Sequence, residues 1–180
     1  MKLSLVTSSF NSGATIRETL DSVRAQTHLP FEYIIIDGGS TDETLEILEE
    51  YSDVITNVVS ESDDGIYDAL NKGITRSTGD VIGFLHSDDL FANPDVLGHV
   101  MRTFEETNAD AVYGDLDYVE REDLMKITRK WRSRKFENGL FYNGWMPAHP
   151  TFYLKREHYE TLGGYRTDMR ISADYELMLR

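Results

Sequence analysis

The chain has 180 residues, enough for one sizeable core, and its 40% hydrophobic and 28% charged residues are ordinary for a soluble globular protein. A net charge of −14 disfavours nucleic acid as a partner, and the absence of cysteine excludes disulfides, thiolate metal sites and cysteine nucleophiles. Met1 and Lys2 lead directly into a short apolar run, so we expect no signal peptide, no membrane span and a cytoplasmic protein.

Apolar runs of strand length alternate with segments of helical periodicity along the first two thirds of the chain. Strands are predicted at 3–8, 31–36, 54–60, 81–85 and 111–113. Helices are predicted at 14–26, after a cap at Ser40 or Thr41, at 67–77, and from Pro94 after a cap at Asn93. This alternation predicts an α/β fold, a Rossmann-like sandwich with a mostly parallel central sheet and helices on both faces.

The pattern weakens after residue 115. Residues 116–145 are polar, partly basic and rich in aromatics, without a periodicity that assigns them. Helical signals return at 156–162, and the chain stops at Arg180 inside a helical pattern, with no glycine to end the helix. We therefore expect residues 1–180 to form a single domain that is truncated at its C-terminus.

Acidic residues follow directly on several predicted strands. Asp37, Asp88, Asp89 and Asp115 all lie just past a strand end. In parallel sheets, ligands bind beyond the carboxyl ends of the strands, so we expect these four side chains to share one edge.

The pair Asp88-Asp89 predicts a cation site. Two adjacent carboxylates after a buried strand are costly unless they are solvated, paired or bound to metal. Hard divalent cations such as Mn²⁺ or Mg²⁺ take oxygen ligands and share them with substrate phosphates. The alternative is a solvated loop that leads to the next helix.

Two other segments are open to a binding or a purely structural interpretation. In residues 37–42 the glycines allow a sharp turn and a close approach to a ligand, and Asp37 is placed to accept a hydrogen bond from a base N–H or a ribose hydroxyl. In residues 63–73, Lys72 is placed to offset phosphate charge and Asn71 to hold the loop. The alternatives are a capped connector and an ordinary helix with acidic residues near its start.

Taken together and in order, these segments resemble family 2 glycosyltransferases, which have the GT-A fold and invert the anomeric centre. The resemblance covers essentially the whole chain. Its motifs are Ser8-Ser9-Phe10-Asn11, residues 36–42, residues 65–74, Gly79-Asp80, residues 84–89 and residues 172–177.

The resemblance implies a role for each matched residue. It places Asp89 on a divalent cation and makes Asp174 the general base that takes a proton from the acceptor hydroxyl. Asp37 would contact the base, Asp88 the ribose, and the segment with Asp64 and Asn71 would close over the nucleotide. The implied substrate-binding residues are Ser8, Phe10, Asn11, Asp37, Gly38, Asp64, Asn71, Lys72, Asp88 and His149.

Two positions depart from the family pattern. His86 stands where many members have Asp, and Ala173 where many have Glu before the base. His149 is open to two interpretations, either reaching the diphosphate, metal or acceptor, or acting as a structural loop residue beside proline.

The implied partners are a UDP- or GDP-linked sugar and a saccharide or lipid-linked saccharide acceptor, in the synthesis of surface polysaccharide. The basic stretch 129–135 is interpreted either as a solvated edge strand or as a peripheral contact with the inner face of a membrane. A nucleotide-sugar-binding module without turnover and a sugar-phosphate nucleotidyltransferase remain as alternatives, although the latter requires a Gly-rich, Arg-containing loop after the first strand. A dehydrogenase would need G-x-G-x-x-G at that place.

Overall fold

The computed structural model describes residues 1–180. It contains eight strands, six α-helices and two short 3-10 turns. The strands are β1 Leu3–Ser9, β2 Glu32–Asp37, β3 Asn57–Ser60, β4 Val81–Phe84, β5 Ala111–Val112, β6 Leu116–Glu120, β7 Asp123–Trp131 and β8 Tyr153–Lys155. The helices are α1 Ile16–Arg24, α2 Thr44–Glu49, α3 Ile66–Arg76, α4 Val96–Thr107, α5 Arg156–Leu162 and α6 Ala173–Leu179, and the 3-10 turns are Phe141–Asn143 and His149–Thr151.

Six strands form the central sheet in the order β3-β2-β1-β4-β8-β5. The strands β1 to β4 are mutually parallel, whereas β8 runs antiparallel between β4 and β5. The predicted α/β fold with a mostly parallel sheet is therefore confirmed. β8 has only three residues, too few for its periodicity to indicate a strand.

Helices cover both faces of the sheet, as predicted. Alternate residues of β2 point to opposite faces, so Tyr33 and Ile35 pack with α1 and α2, whereas Ile34 and Ile36 pack with α3, α5 and α6. α3 lies very close to β1: a Cβ on Gly73 would be 2.4 Å from Val6 Cγ1. A larger residue there would force Val6 or the helix to shift.

Two predicted helix caps are wrong by a few residues. α2 begins at Thr44, because Asp42 accepts hydrogen bonds from the Thr44 backbone N–H and hydroxyl, while Ser40 bonds to Asp37. α4 begins at Val96, because Asn93 accepts from the Asp95 N–H and closes a turn ahead of the helix.

The unassigned segment contains a hairpin of β6 and β7, which pair only with each other. Most of its side chains are exposed on both faces, so no alternation of apolar and polar residues marks it in the sequence. The basic stretch begins in β7, and Arg132 pairs with Asp117 (Nη1 to Oδ1, 2.6 Å). None of the helices combines the length and apolar character that a membrane span requires.

Candidate functional site

The site lies where the strand order reverses. β2 and β3 continue to one side of β1, and β4 pairs with its other side. Such a switch point leaves a crevice beyond the carboxyl ends of the two central strands, where α/β proteins bind ligands. Ser8 and Phe10 lie at this end of β1, and the turn His86-Ser87-Asp88-Asp89 follows β4.

Asp37 is a structural hub at the end of β2, in register with Ser9 of β1 and Ser60 of β3. It is completely buried and accepts five hydrogen bonds, from the hydroxyls of Ser9, Ser40 and Ser60 and the N–H groups of Gly39 and Ser40. Burial alone would raise the pKa of Asp37, but these hydrogen bonds outweigh it and hold the pKa below its ordinary value. No lone pair is left for a nucleobase, so the predicted direct contact does not fit this geometry.

The loops after β1 and β2 are tied together around that hub. Asn11, which has a left-handed φ of 48°, accepts from the Thr41 N–H with its side chain (2.9 Å) and donates its backbone N–H to Ser40 Oγ (2.8 Å). Asn tolerates this backbone region better than most residues do. Asn11 therefore shapes the pocket wall, and its side-chain oxygen is already engaged.

Beside this wall, Phe10, Gly38 and Asp63 form a small platform. Phe10 is 64% exposed, although it is a large apolar residue at the rim of the crevice. A Cβ on Gly38 would be 2.7 Å from Asp63 Oδ2 and 3.4 Å from Phe10 Cδ2. The missing side chain at position 38 makes room for the Asp63 carboxylate next to an exposed aromatic face.

The predicted contact of Lys72 with phosphate does not fit the structure. The Lys72 ammonium lies 3.2 Å from both the Glu61 and the Asp68 carboxylates and donates to the Ser62 carbonyl. Burial alone would lower the pKa of Lys72, but Asp68 and Glu61 outweigh it and raise the pKa. Its charge is neutralised by Asp68 on the same helix and by Glu61 in the preceding loop, so Lys72 fastens the loop between β3 and α3.

Asp64 is exposed and lines a cavity of ≈ 240 Å³ with Tyr67, Met169 and Arg170, between the start of α3 and the segment before α6. A cavity of ≈ 320 Å³ lined by His28, Gly98 and Met101 contains none of the predicted site residues.

The turn after β4 carries the proposed cation ligand. The Ser87 hydroxyl lies 2.8 Å from Ser12 Oγ, and the Asp89 N–H donates to the His86 carbonyl. These two hydrogen bonds hold the turn. Asp88 is exposed and Asp89 is half-buried. Burial raises the pKa of Asp89, the imidazole of His86 opposes this, and the Asp88 charge adds to it.

The residues at this turn fit a divalent cation. No hydrogen bond or ion pair of the structure satisfies the desolvated Asp89 carboxylate, and a second carboxylate adjoins it. Such an oxygen donor is what Mg²⁺ or Mn²⁺ takes up. A preassembled trio of possible ligands, Asp110, Glu157 and His158, lies elsewhere. Since Lys155 pairs with Val81 at the amino end of β4 and its ammonium lies 3.3 Å from Asp110, that trio is better explained as a surface ion pair.

His149 is brought close to this turn. Its ring centroid lies 5.7 Å from that of His86, and its Nε2 lies 2.8 Å from the Tyr165 hydroxyl. Burial and, to a smaller extent, the nearby His86 lower the pKa of His149 to about 4, against a partial opposing effect of Asp174. His149 is therefore neutral at pH 7 and offers a lone pair or a hydrogen bond, not a positive charge.

Asp174 lies in the first turn of α6, preceded by Ser172 in a left-handed conformation with φ of 69°. It is partly exposed, and its Oδ1 accepts a hydrogen bond from the Tyr67 hydroxyl at 3.3 Å. Asp174 is thus connected to the turn after β4 through Tyr67, Tyr165 and His149.

Asn71 holds backbone, as one interpretation of its segment predicts, but the backbone is that of Tyr165 and not of its own loop. Its side chain donates to the Tyr165 carbonyl (2.8 Å) and accepts from the Tyr165 N–H (2.7 Å). Both polar atoms are used to clamp a backbone segment, so the side chain is not directed at a nucleotide.

Asp115 is not grouped with the other acidic residues that follow strand ends. It accepts a hydrogen bond from the Ser133 N–H and holds the base of the hairpin.

Comparison with known proteins identifies the family. The family model described as Glycosyl transferase family 2 matches residues 4–171. The chain belongs to glycosyl transferase family 2. The family 2 relatives include a PGL/p-HBAD biosynthesis glycosyltransferase of Mycobacterium bovis (strain BCG / Pasteur 1173P2), 30% identical over 98% of this chain and 68% of its own length. An uncharacterised glycosyltransferase of Mycobacterium tuberculosis (strain CDC 1551 / Oshkosh) is 33% identical over 99% of this chain and 68% of its own length.

Solved structures share the GT-A fold of this family 2 chain. S. aureus TarS 1-349 in complex with UDP-GlcNAc superposes with a TM-score of 0.80 at 20% identity, covering 99% of this chain and 52% of TarS 1-349. The mannosyltransferase PcManGT from Pyrobaculum calidifontis, in complex with GDP-Man and Mn²⁺, gives a TM-score of 0.73 at 22% identity over 98% and 50% of the two chains. The chain thus spans about half the length of these structures.

Within the family 2 pattern, the structure brings together some predicted residues and not others. Ser8, Phe10, Gly38, Asp88 and Asp89 follow the carboxyl ends of β1, β2 and β4, His149 and Asp174 are connected to the turn after β4 through aromatic contacts, and Asp64 lines the neighbouring cavity. Asp37, Asn71 and Lys72 are engaged in hydrogen bonds or ion pairs with other protein groups, and so hold the surrounding backbone. Sequence reasoning missed Asp63 and Tyr67. The available signal for Asp63 was its neighbour Asp64 in the same loop, together with the glycine at position 38.

Proposed function

We propose that the chain transfers a sugar from a nucleoside diphosphate sugar to a hydroxyl acceptor with inversion of the anomeric centre. The observation that carries this proposal is the continuous path of contacts from Asp174 through Tyr67, Tyr165 and His149 to His86. This path links the partly exposed carboxylate of Asp174 with the acidic turn after β4, which supports the pair of functions that a one-step displacement needs.

The donor nucleoside is proposed to bind on the Phe10 side of the crevice. The exposed Phe10 ring offers a face on which a base can stack. Asp63 Oδ2 is the adjacent acceptor, and Gly38 leaves the space between them open. Uracil and guanine both present ring N–H donors to a carboxylate, so this platform suits UDP- or GDP-linked sugars. Ser8 at the end of β1 and Asp88 after β4 are included in this site, and Asp88 is assigned to the ribose.

Asp89 is the proposed ligand for Mn²⁺ or Mg²⁺, with the neutral imidazole of His149 nearby as a further donor. When bound, the cation supplies Lewis-acid stabilisation of the diphosphate leaving group. Asp174 takes the proton from the acceptor hydroxyl while that oxygen bonds to the anomeric carbon. The bond from the anomeric carbon to the diphosphate oxygen breaks in the same step, and the nucleoside diphosphate leaves.

The acceptor is proposed only as a class, a saccharide or a lipid-linked saccharide, in the synthesis of surface polysaccharide as the family resemblance implies. A partly exposed Asp174 is compatible with an acceptor that approaches from solvent. A peripheral membrane contact through the hairpin remains part of this proposal, because Lys126 to Lys135 include six basic and no acidic residues.

The proposal is tested with UDP, GDP and a panel of UDP- and GDP-sugars in the presence of Mn²⁺. Calorimetry is expected to show binding by the wild type and by Asp174→Asn alike. Release of nucleoside diphosphate from the matching sugar is expected only for the wild type, because an amide cannot accept the proton. Binding without any release in the wild type would favour a binding module without turnover, and full turnover in Asp174→Asn would place the base elsewhere.

A further inference from the structure

The start of α3 contacts the base-bearing segment directly. The Tyr67 hydroxyl donates to Asp174 Oδ1 at 3.3 Å and accepts from the Ala173 N–H at 3.2 Å. Because the backbone N–H can only donate, it fills the acceptor side of the hydroxyl and commits the hydroxyl proton to the carboxylate. One side chain therefore holds both the backbone before Asp174 and one of its two carboxylate oxygens.

The Tyr67 ring is itself fixed. It stacks on the buried ring of Tyr165, with centroids 5.6 Å apart and an interplanar angle of 20°. Tyr165 is in turn clamped through its backbone by Asn71, which lies one helical turn after Tyr67 on α3. A Cβ on the neighbouring Gly164 would lie 2.2 Å from Asn71 Oδ1, so the clamp requires glycine there.

Asp174 has no comparable support from its own helix. α6 has seven residues, and Ser172 enters it in a left-handed conformation that is unfavourable for a residue with a side chain. Among the hydrogen bonds of the structure, that from Tyr67 is the one that reaches the Asp174 carboxylate. The orientation of the carboxylate therefore depends on α3, more than one hundred residues earlier in the chain.

We propose that Tyr67 is a positioning residue that orients Asp174 for proton transfer, an inference that rests on the proposed function. With Oδ1 held by Tyr67, Oδ2 is the oxygen left to receive the proton from the acceptor. Burial raises the pKa of Tyr67 and the Asp174 charge raises it further, so the hydroxyl remains a donor at neutral pH. The stacked pair and the Asn71 clamp keep it in place between turnovers.

The test is Tyr67→Phe, which removes the hydroxyl and retains the ring that stacks on Tyr165. We expect kcat for release of UDP or GDP from the matching nucleotide sugar to fall about tenfold or more, since misplaced catalytic groups lose rate steeply. The dissociation constant for the nucleotide and the thermal midpoint should stay at wild-type values. Unchanged kcat in a folded Tyr67→Phe variant would overturn the positioning role.

Tyr51→Phe is the matched control. Tyr51 also donates its hydroxyl to a carboxylate, Asp21 Oδ1 at 2.7 Å, but it packs with α1 and α2 on the other face of the sheet. Loss of this hydroxyl should leave kcat unchanged. An equal loss of kcat in both variants would mean that removal of any such hydroxyl impairs the protein, and would also overturn the proposal.

A double variant separates this proposal from the assignment of the base. If Tyr67 acts through Asp174, Tyr67→Phe should lower the residual rate of Asp174→Asn no further. An additional loss in the double variant would show that Tyr67 does not act through Asp174. Full activity of Asp174→Asn would overturn the base assignment and the role of Tyr67 together, whereas an inactive Asp174→Asn with a fully active Tyr67→Phe would overturn the role of Tyr67 alone.

Discussion

The Ser60 hydroxyl donates a hydrogen bond to Asp37 Oδ2 over 2.7 Å and so joins the last residues of β3 and β2. Ser9 does the same from β1, which makes Asp37 the point at which three parallel strands are fastened at their carboxyl ends. The wall of the proposed nucleotide pocket is therefore anchored by a buried charge, whose removal should affect the fold before it affects a ligand.

Asp37→Asn is expected to lower the free energy of unfolding by about 3 kcal/mol. Hydrogen bonds to a buried charged group contribute about 1.5 to 3 kcal/mol each, and the amide NH₂ of Asn would face hydroxyl and N–H groups that donate to Asp37. Urea unfolding followed by circular dichroism measures the change. Asp88→Asn is the control, because Asp88 is exposed and its substitution should leave the stability within about 0.5 kcal/mol. Equal stability of the two variants would contradict the role of Asp37 as a hub.

Acid should destabilise the protein through two residues of β2. Burial would raise the pKa of both Asp37 and Glu32, but hydrogen bonds, for Glu32 those from Ser4, Thr78 and Gly79, hold both below the ordinary values of 3.8 and 4.5. A carboxyl with a lowered folded pKa stabilises the fold fully above its ordinary pKa, and the stabilisation is lost as pH falls through the folded value. Unfolding free energies should therefore be level above about pH 5 and decline below it.

The same titration in Asp37→Asn isolates one contribution. The decline should be shallower in the variant, because only Glu32 of the pair still titrates. An identical slope in both proteins would show that the acid sensitivity arises elsewhere.

Asp63 is predicted to select the nucleobase. Uracil has a ring N–H that donates to a carboxylate, whereas cytosine presents an acceptor at the same place. Asp63→Asn should therefore weaken UDP binding about tenfold and strengthen CDP binding relative to UDP, as expected for one charge-assisted hydrogen bond. Calorimetry with both nucleotides and Mn²⁺ checks this. An unchanged UDP-to-CDP ratio would remove Asp63 from the base site.

Asp89→Ala should abolish the dependence of nucleotide binding on the cation, because no other unpaired, desolvated carboxylate lies at the turn after β4. Titration of UDP with and without Mn²⁺ measures the dependence. Asp110→Ala, in the exposed trio at the opposite end of β4, serves as the matched control and should behave like the wild type. The reverse pattern would move the cation site to that trio.

The sequence predicts the fold well because burial patterns are local. Runs such as Tyr33–Ile36 are buried on both faces, which indicates a central parallel strand without knowledge of its neighbours. The hairpin β6–β7 is exposed on both faces and offers no such pattern. β8 is short, and its antiparallel direction depends on neighbours that are distant in the chain.

The site could be predicted in outline and not in its individual contacts. The strand ends and the family resemblance single out Asp89 and Asp174 as candidates without knowledge of their contacts. The contacts of Asn71 and Lys72 could not be predicted, because each depends on which partner the fold brings near. That partner is Tyr165 for Asn71 and Glu61 for Lys72. A polar residue in a binding motif is compatible with contact to a ligand or with support of the residue that makes the contact.

The position of β8 between β4 and β5 has a consequence for the order in which the chain assembles. β5 ends at Val112 and pairs only with β8, which is complete at Lys155. In a nascent chain, β1 to β4 can therefore pair early, whereas β5 cannot pair until β8 has been synthesised. We expect pulse-labelled hydrogen exchange during refolding to protect the amides of β1 and β2 before those of β5 and β8, so that the proposed donor side forms first.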